Sequence, residues 1–153
     1  MIRNRISMKS SLKHIAILTF SLISFSSCNT QKIANTNLPQ DISERPIDES
    51  SKKYDEAQLD KLKASIEGEI SKEKCTNATQ WTFAPMGAKS CGGPQLYIAY
   101  PKDKEATILP KINDYTEKIK TFNDKYDIVS DCIMVMPPTS IKCKNGKAEL
   151  ITS

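Results

Sequence analysis

Hydrophobic residues recur with helical spacing in two stretches of the chain. The first stretch has apolar residues three or four positions apart, with charged residues between them: Leu59, Leu62, Ile66 and Ile70. This pattern predicts a helix over about residues 54–73. The second stretch is a longer stripe with the same spacing: Ile108, Ile112, Tyr115, Ile119, Phe122 and Tyr126. It predicts a helix of about 18 residues, with Thr107 as its N-cap.

Strand patterns lie between and after these helices. Residues 80–84 alternate and contain aromatic side chains, and residues 95–100 are apolar and flanked by prolines. Three further apolar segments follow the second helix, at residues 128–136, 139–143 and 147–152. Asn145-Gly146 between the last two is a strong hairpin signal. The sequence therefore predicts an α+β fold, with two helices packed on a small antiparallel sheet that ends in a three-stranded meander.

The first 27 residues have the organisation of a signal peptide. Basic residues precede an eleven-residue, mostly apolar run at 15–25, and no acidic residue lies among them. Eleven helical residues span about 16 Å, roughly half of a bilayer core, so the run is too short to cross a membrane. We predict that residues 1–27 are an export signal that is removed.

A lipidation signal follows the apolar run. The string Phe25-Ser26-Ser27-Cys28 resembles a bacterial lipobox, with Phe25 where that family usually has Leu. The resemblance implies that Cys28 becomes an acylated N-terminus, carrying chains such as palmitate, and anchors a lipoprotein to a bacterial membrane. Two or more acyl chains anchor a protein stably. An ordinary signal peptide with an incidental Cys28 is the alternative, and the choice between inner and outer membrane is left open.

The segment after Cys28 has the composition of a tether. Residues 29–53 contain no aromatic residue, cysteine or glycine, and their apolar residues have no period. Such a segment cannot bury enough apolar surface to offset the entropy of ordering. The predicted organisation is a signal peptide at 1–27, a lipidated cysteine and flexible tether at 28–53, and a single domain at 54–153.

The net charge of +4 belongs entirely to the predicted signal peptide. That segment holds four of the 22 basic residues and none of the 18 acidic ones, which leaves 18 of each sign. A neutral domain has no general attraction to nucleic acid, so we expect no nucleic-acid partner. The local cluster of Lys142, Lys144 and Lys147 is typical of edge strands, where lysines discourage aggregation.

Four cysteines remain when Cys28 is set aside: Cys75, Cys91, Cys132 and Cys143. An even number in an exported domain predicts two disulfides. Of the three pairings, the local one is favoured because it closes the shortest loops: Cys75 with Cys91 and Cys132 with Cys143. The next is Cys75 with Cys132 and Cys91 with Cys143. The spacing of a zinc clip or a C-x-x-C motif is missing, so we expect neither a metal site nor a redox site.

The composition argues against the common catalytic devices. The single histidine, His14, lies in the predicted signal peptide, so the mature chain has no imidazole to activate a nucleophile. A carboxylate-based enzyme is the remaining catalytic alternative, and its candidate acids are Asp127 with Asp131, and Glu67 with Glu69 and Glu73. These acids alternate with lysines or flank strands, as on solvated faces. A phosphate-binding glycine motif is also missing, so no cofactor is expected.

One loop is a candidate recognition loop. Residues 86–94 join two predicted strands, are rich in glycine and proline, and contain Lys89, Gly92 and Gly93. A rigid loop binds with little ordering cost, although a purely structural turn accounts for the same composition. The surrounding stretch, about 75–145, resembles small exported bacterial proteins of unassigned role that share its C-G-G-P sequence.

These features favour a lipid-anchored protein of the cell envelope with a non-catalytic binding or interaction domain. Its expected partners are the membrane, through the lipid anchor, and another protein. The alternatives are an inhibitor of an exogenous hydrolase, either a protease or a lysozyme, acting through residues 86–94, and the carboxylate-based enzyme.

Overall fold

The computed structural model describes residues 39–152 and has an α+β arrangement. The helices and strands follow in the order α1 (Glu49–Ile70), β1 (Trp81–Met86), β2 (Leu96–Pro101), α2 (Glu105–Lys125), β3 (Ser140–Lys144) and β4 (Lys147–Ile151). Single 3-10 turns cover Ile42–Glu44, Ala78–Gln80 and Lys102–Lys104. The predicted fold class is confirmed. The predicted signal peptide, Cys28 and the first part of the predicted tether lie outside the described residues.

Helix α1 begins before the predicted residue 54. Asp48 caps the helix, because its carboxylate accepts a hydrogen bond from the backbone N–H of Ser51 at 2.7 Å; aspartate is a favoured N-cap residue. The residues before the cap also pack on the domain, and Ile42 is buried in its main core. Residues 39–53 are therefore part of the folded unit, where the sequence predicted a flexible tether.

A buried ion pair holds this leading segment in place. Asp55 in α1 has no exposed surface and pairs with Arg45. The Arg45 guanidinium also donates to the carbonyl oxygens of Pro39 and Gln40, at 2.5 and 2.6 Å. The hydroxyl of Tyr126 donates to the other carboxylate oxygen of Asp55 at 2.7 Å. A pattern of apolar residues does not reveal these contacts, because the groups that order the segment are charged.

Helix α2 supplies much of the main core. Five of its six predicted stripe residues are buried: Ile108, Ile112, Tyr115, Ile119 and Phe122. The sixth, Tyr126, is half-buried just after the helix ends. The predicted N-cap is wrong, because the helix begins at Glu105 directly after a 3-10 turn, and the capping position is Lys104. Thr107 and Pro110 consequently lie inside the helix.

Strands β1 and β2 pair antiparallel, and their two faces contact different partners. Ala84, Met86 and Tyr100 lie in the main core with the helices. Trp81 and Ala99, on the opposite face, lie in a smaller core that also contacts the β3–β4 hairpin. The alternation of the two strands thus serves two cores, and the predicted strands at 80–84 and 95–100 are close to the observed ones.

The predicted three-stranded meander is wrong. Strands β3 and β4 form a separate two-stranded sheet, and residues 128–138 belong to no strand. Asn145 and Gly146 have φ angles of 52° and 75°, as a type I′ turn requires, so the predicted hairpin is confirmed. Pro137 and Pro138 follow the strand that was predicted at residues 128–136. Proline has no backbone N–H to donate to a neighbouring strand.

One disulfide fastens the hairpin to the chain after α1. Cys75 is bonded to Cys143, across 68 residues of sequence. The backbone N–H of Cys75 also donates to the carbonyl oxygen of Gly146 at 2.9 Å. The favoured local pairing and the second pairing are both wrong, because each assigns these cysteines other partners. The packing of the hairpin on the β1–β2 sheet brings Cys75 and Cys143 together. This packing cannot be inferred from the separation of the cysteines along the sequence.

Candidate interaction site

The 86–94 loop has a fixed backbone. Gly87, Gly92 and Gly93 have φ angles of 71°, 95° and 80°, a region that glycine enters without a steric penalty. The Gly92 N–H donates to the carbonyl of Lys89 at 3.0 Å, and the Lys89 N–H donates to the carbonyl of Gly93 at 2.9 Å. Asn123 in α2 donates to the Ala88 carbonyl at 2.8 Å. The loop is therefore held both within itself and against α2.

A set of side-chain contacts joins this loop to the strandless segment after α2. The backbone N–H groups of Ser90 and Ser130 each donate to the other's hydroxyl, at 3.0 and 3.1 Å, and the two hydroxyls lie 2.8 Å apart. The Lys89 ammonium donates to the Asp131 carboxylate and to the Ile133 carbonyl, the latter at 2.7 Å. We call these contacts between residues 89–91 and 130–133 the clasp.

Lys89 does not present its charge to solvent as the recognition-loop prediction required. Its side chain is only 13% exposed because it lies against Asp131 and Ile133. The hydrogen bond from Lys89 also lowers the pKa of the Asp131 carboxyl. Lys89 is therefore a structural residue of the clasp. Gly92 and Gly93 remain at the exposed tip, where they supply positive φ angles; among the described residues, no atom lies within 4 Å of the position that a Cβ atom would occupy at either glycine.

The two remaining cysteines meet in the clasp. Cys91 and Cys132 are unbonded and exposed, and they lie side by side. The neighbouring Cys132 thiol lowers the pKa of Cys91, and Cys91 in turn raises the pKa of Cys132. The Cys91 sulfur lies 3.5 Å from the Asp131 carbonyl oxygen and 3.8 Å from the Ser130 hydroxyl. Cys91 thus lies beside Cys132. The two ranked pairings had instead assigned it to Cys75 or to Cys143.

The segment that contributes residues 130–133 to the clasp displays large apolar side chains. We call residues 128–136 the apolar ribbon. Four of its side chains are strongly exposed: Val129 at 93%, Ile133 at 72%, Met134 at 77% and Met136 at 60%. From residue 129 to residue 136 the described contacts include no backbone–backbone hydrogen bond. The sequence predicted the first strand of a C-terminal meander here; the prolines that follow and the polar Ser130-Asp131 pair within it were the available signals against that.

The acidic residues nominated for catalysis have other contacts. Glu67, Glu69 and Glu73 lie within ion-pair distance of Lys63, Lys111 and Lys104, respectively. Asp131 is bound by Lys89, and a lowered carboxyl pKa is the opposite of what a general acid at neutral pH needs. Asp127 is exposed, with a positive φ of 47° at the end of α2. This part of the structure gives a carboxylate mechanism no support.

The described residues carry several grooves. One, of about 450 Å³, lies between the 86–94 loop and α2 and is lined by Lys89, Gly93, Asn113, Thr116 and Asn123 among others. Another, of about 890 Å³, lies between the β1–β2 sheet and the hairpin. Within residues 39–152, no set of three or more metal-ligating side chains is gathered at one point. No helix in the same range is long and apolar enough to cross a bilayer.

Comparison with known proteins adds no relative. The chain matches no protein-family model, no curated protein and no solved structure. Any function must therefore be argued from the residues of this chain.

Proposed function

We propose that the protein is a lipid-anchored component of a bacterial cell envelope whose domain binds another protein, without catalysis, through the apolar ribbon. The lipobox-like string at Cys28 supports the anchor. The exposure of Val129, Ile133 and Met134 on a segment held by the clasp is the observation that carries the binding role. Several large apolar side chains exposed along one segment are typical of an interaction site.

The energetics of the ribbon suit a binding surface. Removing a large apolar side chain from water contributes about 1.5–3 kcal/mol, and the ribbon offers four of them. Association costs about 4–15 kcal/mol in lost freedom, so burial of all four side chains offsets much of that cost. The clasp fixes the ribbon in advance, which reduces the ordering cost further.

The backbone of the ribbon favours a protein over a lipid bilayer as the partner. A segment without backbone–backbone hydrogen bonds can accept an added strand, as in β-augmentation. Backbone N–H and C=O groups that have no partner are costly in hydrocarbon, where no water satisfies them. The charged pair that Lys89 forms with Asp131 of the ribbon adds to that cost. We therefore assign the ribbon to an extended segment of another protein, and the membrane to the lipid anchor.

The binding role is tested by site-specific photocrosslinking in cells that produce the full chain. A photoreactive residue replaces Met134 in the ribbon, and Glu117, an exposed residue of α2, is the matched control. We expect a discrete protein adduct at residue 134 that is missing at residue 117. Adducts to lipid alone, or the same adducts at both positions, would contradict the proposal.

The lipid anchor has a separate test. Metabolic labelling with palmitate should mark the wild-type chain and fail to mark a Cys28→Ser variant, which should also leave the membrane fraction. Labelling that persists in the variant would refute the lipidation of Cys28 and leave the binding role untouched.

A second candidate, inhibition of an exogenous hydrolase, is favoured by the rigidity of the 86–94 loop. Hydrogen bonds within the loop, from Asn123 and in the clasp restrain its conformation, as is common in inhibitor loops. Titration of a panel of proteases and lysozymes with the purified protein tests this. Stoichiometric inhibition of one enzyme would identify the partner class, and no inhibition at micromolar protein would remove this candidate.

A further inference from the structure

The structure contains two cysteine pairs with opposite environments. Cys75 is almost completely buried in the smaller core and is bonded to Cys143. Cys91 and Cys132 lie at the surface, unbonded and in contact with each other. Exposed disulfides are typically the labile or regulatory ones, whereas shielded disulfides resist reduction. The two pairs are therefore expected to behave differently toward thiols and disulfides in the surroundings.

We propose that Cys91 and Cys132 form a thiol–disulfide exchange site that accepts an external disulfide as its oxidant. This site cannot be recognised from the sequence, because the two cysteines are 41 positions apart and no C-x-x-C motif is present. The clasp brings them together instead, since the Ser90–Ser130 and Lys89–Asp131 contacts lie next to the cysteines along both segments.

The surroundings assign different roles to the two sulfurs. Cys91 lies beside the Cys132 thiol and on the same loop as the Lys89 ammonium, and both neighbours lower its pKa. The thiolate is the attacking species in exchange. Cys91 is therefore the attacking residue. Cys132, whose pKa is raised, is the resolving residue that closes the bond.

The reaction balances in two steps. The Cys91 thiolate attacks one sulfur of the external disulfide, forms a mixed disulfide and releases the other sulfur as a thiolate. The Cys132 thiol loses its proton to solvent and attacks the Cys91 sulfur, which closes the Cys91–Cys132 bond and releases the second thiolate. The protein loses two electrons and two protons, and the external disulfide becomes two thiols. The oxidised protein then has a covalent bond inside the clasp.

The test is a redox titration of the full chain carrying Cys28→Ser, which leaves four cysteines. The protein is equilibrated in glutathione buffers of graded composition, quenched with acid, alkylated and analysed by peptide mass spectrometry. We expect the Cys91–Cys132 bond to form and break reversibly while Cys75–Cys143 stays oxidised, with midpoints at least tenfold apart in the thiol–disulfide ratio. Co-reduction of the two bonds, or a Cys91–Cys132 pair that never changes state, would overturn the proposal.

Single variants test the assigned roles. Cys132→Ser should trap glutathione on Cys91 as a stable mixed disulfide, because the resolving thiol is missing. Cys91→Ser should accumulate the corresponding adduct on Cys132 at least tenfold more slowly. Equal rates, or faster reaction at Cys132, would overturn the assignment of Cys91 as the attacking residue.

The source of the oxidant is distinguished by two arms. One arm supplies glutathione disulfide, and the other supplies an oxidised C-x-x-C protein at the same concentration of disulfide. Conversion by either arm agrees with the proposal, and the faster arm identifies a small molecule or a protein as the better oxidant. Conversion by neither would overturn it.

Discussion

Single polar residues order a part of the chain that apolar patterning does not reach. Arg45 is buried at the start of the domain and makes hydrogen bonds with two backbone carbonyls in addition to its ion pair with Asp55. Tyr126 completes the coordination of the same carboxylate. In residues 39–152 every buried side-chain nitrogen or oxygen has a hydrogen-bond partner. Removing one member therefore leaves the others unpaired in a buried site, which is costly.

Asp55→Ala should reduce the free energy of unfolding by about 3–5 kcal/mol, because the Arg45 charge would stay buried without its partner. Asp114→Ala is the matched control. It removes an exposed helix pair with Lys118, and such pairs contribute only about 0.3–0.5 kcal/mol. Urea denaturation of both variants measures the difference. Equal effects would show that the buried pair does not hold the leading segment.

Tyr126 gives stability a dependence on alkaline pH. Burial and the hydrogen bond to Asp55 raise its pKa above the ordinary tyrosine value. The folded protein therefore keeps the proton to a higher pH than the unfolded chain does, and this contribution is complete below the unfolded pKa of about 10. Stability should fall as the pH rises above that value.

Denaturant midpoints measured between about pH 8 and pH 11 test this dependence in the wild type and in Tyr126→Phe. The variant should lose less stability over the range. A residual slope should remain, since burial also raises the pKa of Tyr100 and Tyr115. A variant with the same slope as the wild type would show that Tyr126 does not carry the effect.

At the scale of elements, local patterns predicted what local interactions decide. The apolar stripe of α2, the strands β1 and β2 and the Asn145-Gly146 turn were all found, because spacing and turn chemistry determine them. The ribbon at 128–136 was predicted as a strand on its composition, yet it belongs to no strand, and Ser130 and Asp131 contact the 86–94 loop instead. The Cys75–Cys143 bond depends on sheet packing across 68 residues. Contacts between residues so far apart in the chain produce no periodic pattern in the sequence.

Only one of the two segments that form the clasp was identified from the sequence. Residues 86–94 were recognised as a candidate recognition loop, and Gly92 and Gly93 do supply the positive φ angles expected of a sharp turn. The partner segment was missed, since Ser130 and Asp131 are separated from the loop by the whole of β2 and α2. The ion pair of Lys89 with Asp131 was missed for the same reason.

Glycine positions within elements provide a matched prediction. Gly68 lies on the exposed side of α1 with open space around it, so Gly68→Ala should stabilise the protein by about 0.5–1 kcal/mol through helix propensity. Gly146 has a φ of 75° in the hairpin turn, so Gly146→Ala should destabilise it by about 1–2 kcal/mol. Thermal or urea unfolding measures both. Effects of the same sign in the two variants would contradict this assignment of the helix and the turn.

At the scale of the whole molecule, the folded unit begins earlier in the chain than the sequence predicted. The described residues from 39 to 53, which the sequence predicted as a flexible tether, pack on the domain. Ile42 lies in its main core, and Arg45 pairs with the buried Asp55 of α1.

The central claim is that the exposed apolar side chains of the ribbon bind a partner and do not stabilise the fold. The most direct measurement combines Ile133→Ser, Met134→Ser and Met136→Ser in one full-length variant, with a photocrosslinker at residue 129. We predict a free energy of unfolding within about 0.5 kcal/mol of the wild type, because exposed side chains contribute little to folding. We also predict at least a tenfold loss of the crosslinked adduct. An unchanged adduct, or a loss of stability greater than about 2 kcal/mol, would contradict the claim.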